Sequence, residues 1–147
     1  MEKTITEQKT NDSVLLSQKG SKSDVEELIR QIVNESTMIR LKKRDLLYLY
    51  QEYAVLKRML YSFPRKNENR MEAILREVME MSLIEFSEYT KLILLIETSP
   101  QHPLLMEELY YIDDIVALFP NCAEIKWGLG ADSSLEKQVF LMMVCSR

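Results

Sequence analysis

The densest cluster of chemically capable side chains in this sequence is Arg40-Leu41-Lys42-Lys43-Arg44-Asp45. Cations packed this closely suit a phosphate or an acidic partner. The plainer reading is a solvated loop whose Asp45 caps the next helix. The remaining titratable groups do not assemble a reaction centre. His102 is the sole histidine and sits in the loop Pro100-Gln101-His102-Pro103, which predicts exposure rather than catalysis. Asp113 and Asp114 are adjacent, so on a helix their side chains diverge by about 100° and cannot share one site. Cys122 and Cys145 read as free thiols behaving as small hydrophobes. A metal would need a cluster of ligands, and none is written in the sequence. Met79, Met81, Met106, Met142 and Met143 read as core filler. Nucleic acid finds support only in Lys42, Lys43, Arg44, Lys57 and Arg58 near Tyr48, Tyr50 and Tyr53. The net charge of −4 opposes it. No catalytic residue, cofactor or metal is expected.

The elements that must hold this cluster follow from pattern. A chain of 147 residues suggests one domain. Such a chain buries roughly 68–70% of its unfolded surface, enough for a core without staples. At 46% hydrophobic and 29% charged it reads as a soluble globular protein. With three Gly and four Pro, a many-turned all-β fold is disfavoured. The N-terminus has no apolar core and is not a signal peptide. The longest apolar run, Val139 to Cys145, falls far short of the about 20 residues that span a bilayer. A soluble, cytoplasmic protein is expected.

Residues 1–22 are polar apart from Val14-Leu15-Leu16 and are expected to be a disordered tail. Ser23 with Glu26 forms a capping-box pattern, and Val25, Leu28, Ile29, Ile32 and Val33 recur at helical spacing. A helix over 24–35 therefore leads directly into the basic cluster. Over 46–63, Leu46, Leu49, Tyr50, Tyr53, Leu56 and Leu60 suit one long helix, although 53–55 and 59–63 also tolerate a strand. Met71, Ile74, Leu75, Val78 and Met79 predict a helix over 68–81, with Glu72 paired to Arg76. A packed connector follows at 83–89. Lys91 to Glu97 is a short apolar run between polar residues, as in a strand buried on both faces. Leu104 to Phe119 predicts another helix, stopped by Pro120-Asn121. Cys122–Leu129 and Gln138–Cys145, around the polar turn Gly130 to Ser134, read as a hairpin. Its second strand is apolar on both faces and should be central.

Several motifs in this order resemble the C-terminal domain of FtsZ, the bacterial tubulin homologue, over residues 25–147. Asn67-Glu68-Asn69-Arg70-Met71 is similar to the family's G-E-N-R-A, and Glu80-Met81-Ser82-Leu83-Ile84 to its S-S-P-L-L. Leu92 to Thr98 is similar to G-V-L-V-N-I-T. The hairpin entry P-x-A-x-I-I-x-G-x-x-x-D-x-x-L is matched by Asn121 to Gly128, then Asp132 and Leu135. Val139 to Ser146 resembles the final V-x-V-T-V-I-A-T strand.

The resemblance implies an α+β fold: a two-layer, four-stranded mixed sheet in the order β-α-β-α-β-β, with N-terminal helices. It divides 23–147 into helices over 24–53 and a sheet with two helices over 54–147. Residues 46–63 then become a helix over about 44–53 and a strand over 55–63. It also implies what is missing. The family binds GTP through a G-G-G-T-G-T-G loop, whereas the glycines here are Gly20, Gly128 and Gly130. The family's N-x-D-x-x-D loop, which positions the attacking water, is matched by Arg40, Lys42 and Asp45, so one of its acids remains. The expected protein is therefore not a GTPase. It is an interaction module that caps or regulates FtsZ-type filaments, with Arg40, Lys42, Lys43, Arg44 and Asp45 as its partner or anion-contact loop. The alternative is a self-associating structural protein that keeps the fold. Expected partners are FtsZ, a related filament protein, or a second copy in a homodimer; membrane and nucleic acid are not expected.

Overall fold

The computed structural model describes residues 11–18, 22–81 and 85–147. Its elements are β1 (Asn11–Gln18), α1 (Lys22–Glu35), α2 (Lys43–Leu46), β2 (Ala54–Ser62), α3 (Arg70–Met79), β3 (Lys91–Thr98), α4 (Met106–Ala117), β4 (Glu124–Ala131) and β5 (Val139–Ser146). Short 3-10 turns lie at Leu47–Gln51, Phe86–Glu88 and Ser133–Leu135. The strands form one sheet in the order β1-β2-β5-β3-β4. β3 and β4 are parallel, and the other neighbours are antiparallel.

β2 to β5 are the expected four-stranded mixed sheet. β3 and β5 occupy its middle because their residues are apolar on both faces. Leu92, Leu94, Ile96, Leu141, Met143 and Cys145 pack with Met71, Ile74 and Val78 of α3 and Ile115 of α4. Ile93, Leu95, Met142 and Val144 pack on the opposite face with Val25, Leu28, Ile29 and Ile32 of α1 and Leu46 of α2. Each such fully buried aliphatic side chain contributes about 1.5–3 kcal/mol. The sheet and α3–α4 make two layers, and the N-terminal helices cover the other face.

The closing hairpin does not form. β4 and β5 are separated by β3, which bonds to both. The reason is burial: β5 is apolar on both faces and takes a place between two strands, whereas β4 leaves Ile125 and Trp127 exposed and takes an edge. Gly130 and Ala131, expected to begin the turn, lie inside β4 instead.

Residues 46–63 follow the family resemblance rather than the helical period. Helical turns end at Gln51 and β2 begins at Ala54. The tail expected over 1–22 is strand over Asn11–Gln18, paired antiparallel to β2, and helix from Lys22. An open strand edge offers backbone groups that any extended segment can satisfy, whatever its composition. Residues 1–10, 19–21 and 82–84 lie outside the described residues; the last fall within the 80–84 motif and the 83–89 connector. Because α1 starts at Lys22, Ser23 lies in its first turn rather than capping it.

At α3, Asn69 Oδ1 accepts from Glu72 N at 2.7 Å, and Glu72 Oε1 accepts from Asn69 N at 3.3 Å. This capping box occupies Glu72, so Arg76 pairs with Glu68 at 2.9 Å instead. Met81, Met142 and Met143 are core, as expected. Met79 and Met106 are exposed, because each sits on the solvent side of its helix.

Candidate partner and anion-contact site

The basic cluster sits on a strap that leaves α1 and crosses to the edge of β4. Ser36 is buried, and its Oγ accepts from Leu41 N at 2.9 Å. Met38 N and Ile39 N donate to Leu129 O at 2.7 and 3.0 Å, and Leu129 N donates to Ile39 O at 3.0 Å. The strap thus pairs briefly with β4 as a further strand would. Leu41 turns inward and is buried. A Cβ at Gly128 would lie 2.9 Å from Leu41 Cδ1 and 3.0 Å from Ile39 O. Glycine at 128 therefore permits close approach of the strap.

Anchoring Leu41 leaves its neighbours outward. Arg40, Lys42, Lys43 and Arg44 are exposed, and no ion pair engages them among the described residues. Lys43 also lines a groove of about 190 Å³ with Arg30, Ile29 and Tyr50. Asp45 is different. Its Oδ2 accepts from Lys42 N at 3.0 Å, so its carboxylate caps the helix in which it lies from the third position. That is a correction to Asp45 as the residue before the helix; Lys42 holds that place. The loop thus presents cations, while its acid is turned to its own backbone.

The nucleic-acid set does not form one surface. Lys57 and Arg58 are consecutive on β2 and face opposite sides of the sheet. Tyr48 lies beneath Lys91 and Lys126, 5.0 and 6.0 Å from its ring centroid. Lys91 and Lys126 pair with Glu52 and Glu124, each at 2.9 Å. Burial, then the charges of Glu52 and Glu124, push the Tyr48 phenol well up. Tyr53 stacks on Arg147 at 5.2 Å.

His102, Asp113 and Asp114 are exposed. Both thiols are free. Burial pushes the Cys145 thiol up to about 12, and Cys122 donates to Glu124 O at 3.4 Å. Among the described residues, no group of three or more His, Cys, Asp or Glu could hold a metal ion. None of the described helices is long and apolar enough to cross a membrane.

Two buried charge clusters escape sequence reasoning. Arg70 is 5% exposed and Glu108 1%. Arg70 Nε and Nη2 donate to the Glu108 carboxylate at 2.8 Å each. Its remaining bonds go to the carbonyls of His102, Lys137 and Pro103, at 3.2, 3.0 and 3.0 Å. All five guanidinium donors are therefore satisfied, and the pair clasps α3, α4 and two loops. The second cluster centres on Glu97, near the end of β3. Only the match of Asn69-Arg70 to the family motif pointed toward either.

The architecture is the α+β fold of the FtsZ-like C-terminal domain in tubulin-like proteins. No family model matches the chain, and no curated protein does. Solved structures do. The FtsZ dimer of M. jannaschii, described as empty, matches with a TM-score of 0.61 at 16% identity, over 80% of this chain and 34% of that one. GDP-form protofilaments of TubZ from Bacillus thuringiensis serovar israelensis match with a TM-score of 0.54 at 8% identity, over 76% and 30%. A GTPyS-form protofilament of the same TubZ matches with a TM-score of 0.51 at 9% identity, over 99% and 38%. This chain thus spans about a third of the length of each of these three chains. At these identities the likeness is one of fold.

Proposed function

We propose that this chain is a non-catalytic, FtsZ-like interaction module that caps or regulates FtsZ-type filaments in the cytoplasm during cell division. The observation that carries this reading is the anchored strap. Ser36, Leu41 and the Leu129 bridge fix its backbone, and Arg40, Lys42, Lys43 and Arg44 stand outward without ion pairs among the described residues. A fixed cationic edge steers and positions an acidic surface. The same loop supplies no free carboxylate to activate water, because Asp45 caps α2. The test is sedimentation of FtsZ polymers with this protein and with the triple variant K42E/K43E/R44E. Wild type should co-sediment or shift the polymer fraction, and the variant should not. No change with wild type would sink the proposal.

A second reading rests on a different observation. β4 is an edge strand with Ile125 43% and Trp127 40% exposed, and the strap pairs with it at Leu129. Such an edge can pair with a second copy. Light scattering at high concentration tests it, and a monomer throughout would exclude it.

A further inference from the structure

A cleft of about 260 Å³ opens where the end of α1 meets the ends of β3 and β4. Its floor holds Glu97, which is 5% exposed. The Glu97 Oε2 atom has no hydrogen-bond partner among the described residues. Glu35 at the end of α1 and Asp132 after β4 line the same cleft. The last turn of α1 has no basic residue, so the negative end of its dipole adds to the field. No Lys, Arg or His lines the cleft among the described residues.

The close approach that makes this cleft is written into Gly130. A Cβ there would fall 1.9 Å from Glu35 O and 3.3 Å from Glu97 Cγ. Glycine lets the end of α1 settle on the sheet beside Glu97. Gln31 Nε2 donates to Glu35 Oε2 at 3.3 Å, and Asp132 Oδ1 accepts from Ser134 N and Oγ at 3.0 and 2.7 Å. These bonds hold the flanking carboxylates, and Glu97 faces no cation among the described residues. Beside Glu97 on the same face of the sheet lie its successive cross-strand neighbours, Phe140 of β5 and Tyr61 of β2, with ring centroids 4.9 Å apart. Carboxylates beside aromatic rings in a small cleft recognise an organic cation.

We propose that this cleft binds an ammonium or guanidinium group on a flexible stem, held by Glu97, Glu35 and Asp132 against Tyr61 and Phe140. Binding is coupled to a proton. Burial, then the hydrogen bond with Glu35 and the charges of Glu35 and Asp132, push the Glu97 carboxyl up to about 9. The titratable groups facing it are Glu35 from α1, Asp132 beyond β4 and Tyr61 from β2; β5 contributes the neutral Phe140. At neutral pH Glu97 keeps its proton. An entering cation replaces that proton as the partner of the carboxylate, and the proton passes to solvent. The strap contributes Thr37 to the cleft, but no residue from Arg40 to Asp45 lines it, so this site is separate from the cationic cluster.

The test is calorimetric titration of the full chain at pH 7, in two buffers of different ionisation heat. Agmatine is the probe for a free amine, and N-acetyl-arginine methylamide the probe for a protein side chain. We expect saturable 1:1 binding with about one proton released per cation. Tighter binding of agmatine assigns a free amine, and tighter binding of the capped arginine a partner's side chain. Glu97→Gln should release no proton and bind about ten-fold or more weakly, with unchanged circular dichroism. Asp132→Asn, which can still cap Ser134, should weaken binding several-fold. No saturable heat with either probe at millimolar concentration would overturn the proposal. So would a Glu97→Gln variant that matches wild type in affinity and proton release.

Discussion

Replacing Arg70 by Met should be among the most damaging single changes in this chain. It removes all five bonds of the guanidinium and leaves Glu108, 1% exposed, with backbone donors alone, among them Leu105 N at 2.9 Å. Breaking one side of a buried pair costs about 3–5 kcal/mol. Against a total stability of about 5–15 kcal/mol, that is a large fraction. For a chain of this size it lowers Tm by roughly 10–15 °C. Arg70→Met/Glu108→Leu removes both charges and should recover much of the loss, because the desolvation cost disappears with them. The pair also has a pH signature. Burial opposes the ionised form, but the Arg70 hydrogen bonds and charge outweigh it and hold the Glu108 carboxyl below its ordinary range. The stability from a lowered carboxylate is complete above the unfolded pKa of about 4.3 and is lost as pH falls through the lower folded value. Urea unfolding of wild type, both singles and the double variant, at pH 7 and pH 3, reads all of this. An Arg70→Met cost below about 1 kcal/mol, or a double variant no better than the single, would refute the reasoning.

Other outcomes follow from the same physics. Glu97 has a raised carboxyl, so its contribution is complete below the unfolded pKa of about 4.3 and is lost as pH rises toward its folded value of about 9. Wild-type stability should therefore fall from pH 5 to pH 8 by a few kcal/mol more than that of Glu97→Gln, in urea titrations at both pH values. Gly130→Ala forces a Cβ against the Glu35 carbonyl and should cost about 2–4 kcal/mol; an effect below about 0.5 kcal/mol would mean that α1 moves freely. Asp45→Ala removes the cap on Lys42 N and should cost about 1 kcal/mol. K42E/K43E/R44E should leave thermal stability nearly unchanged, since those side chains have no ion pairs among the described residues.

The parts of the fold legible in the sequence are those that local composition decides. Leu92–Ile96 and Val139–Cys145 are apolar at every position, and β3 and β5 are buried on both sides. The helices α1, α3 and α4 carry their periodicity openly. Pairing is not local: Gly130–Ser134 looked like a hairpin turn, yet β3 enters between β4 and β5. Over Leu46 to Leu60 the periodicity alone favours one long helix, and only the family resemblance pointed to a helix followed by a strand. β1 was hidden because backbone pairing does not read polarity. At the candidate site the charges were plain, but their anchoring depends on Ser36, Leu41 and Gly128, which meet across the fold. The Arg70–Glu108 pair spans 38 residues and has no local signature.

The central claim is that the anchored cationic strap engages an FtsZ-type filament without catalysis. The most direct measurement is filament length by electron microscopy, with FtsZ assembled on GTP and this protein added well below stoichiometry. Wild type should shorten or otherwise alter the filaments, K42E/K43E/R44E should have no effect, and the chain alone should not hydrolyse GTP. Unchanged lengths with wild type, or equal effects from the two proteins, would contradict that claim.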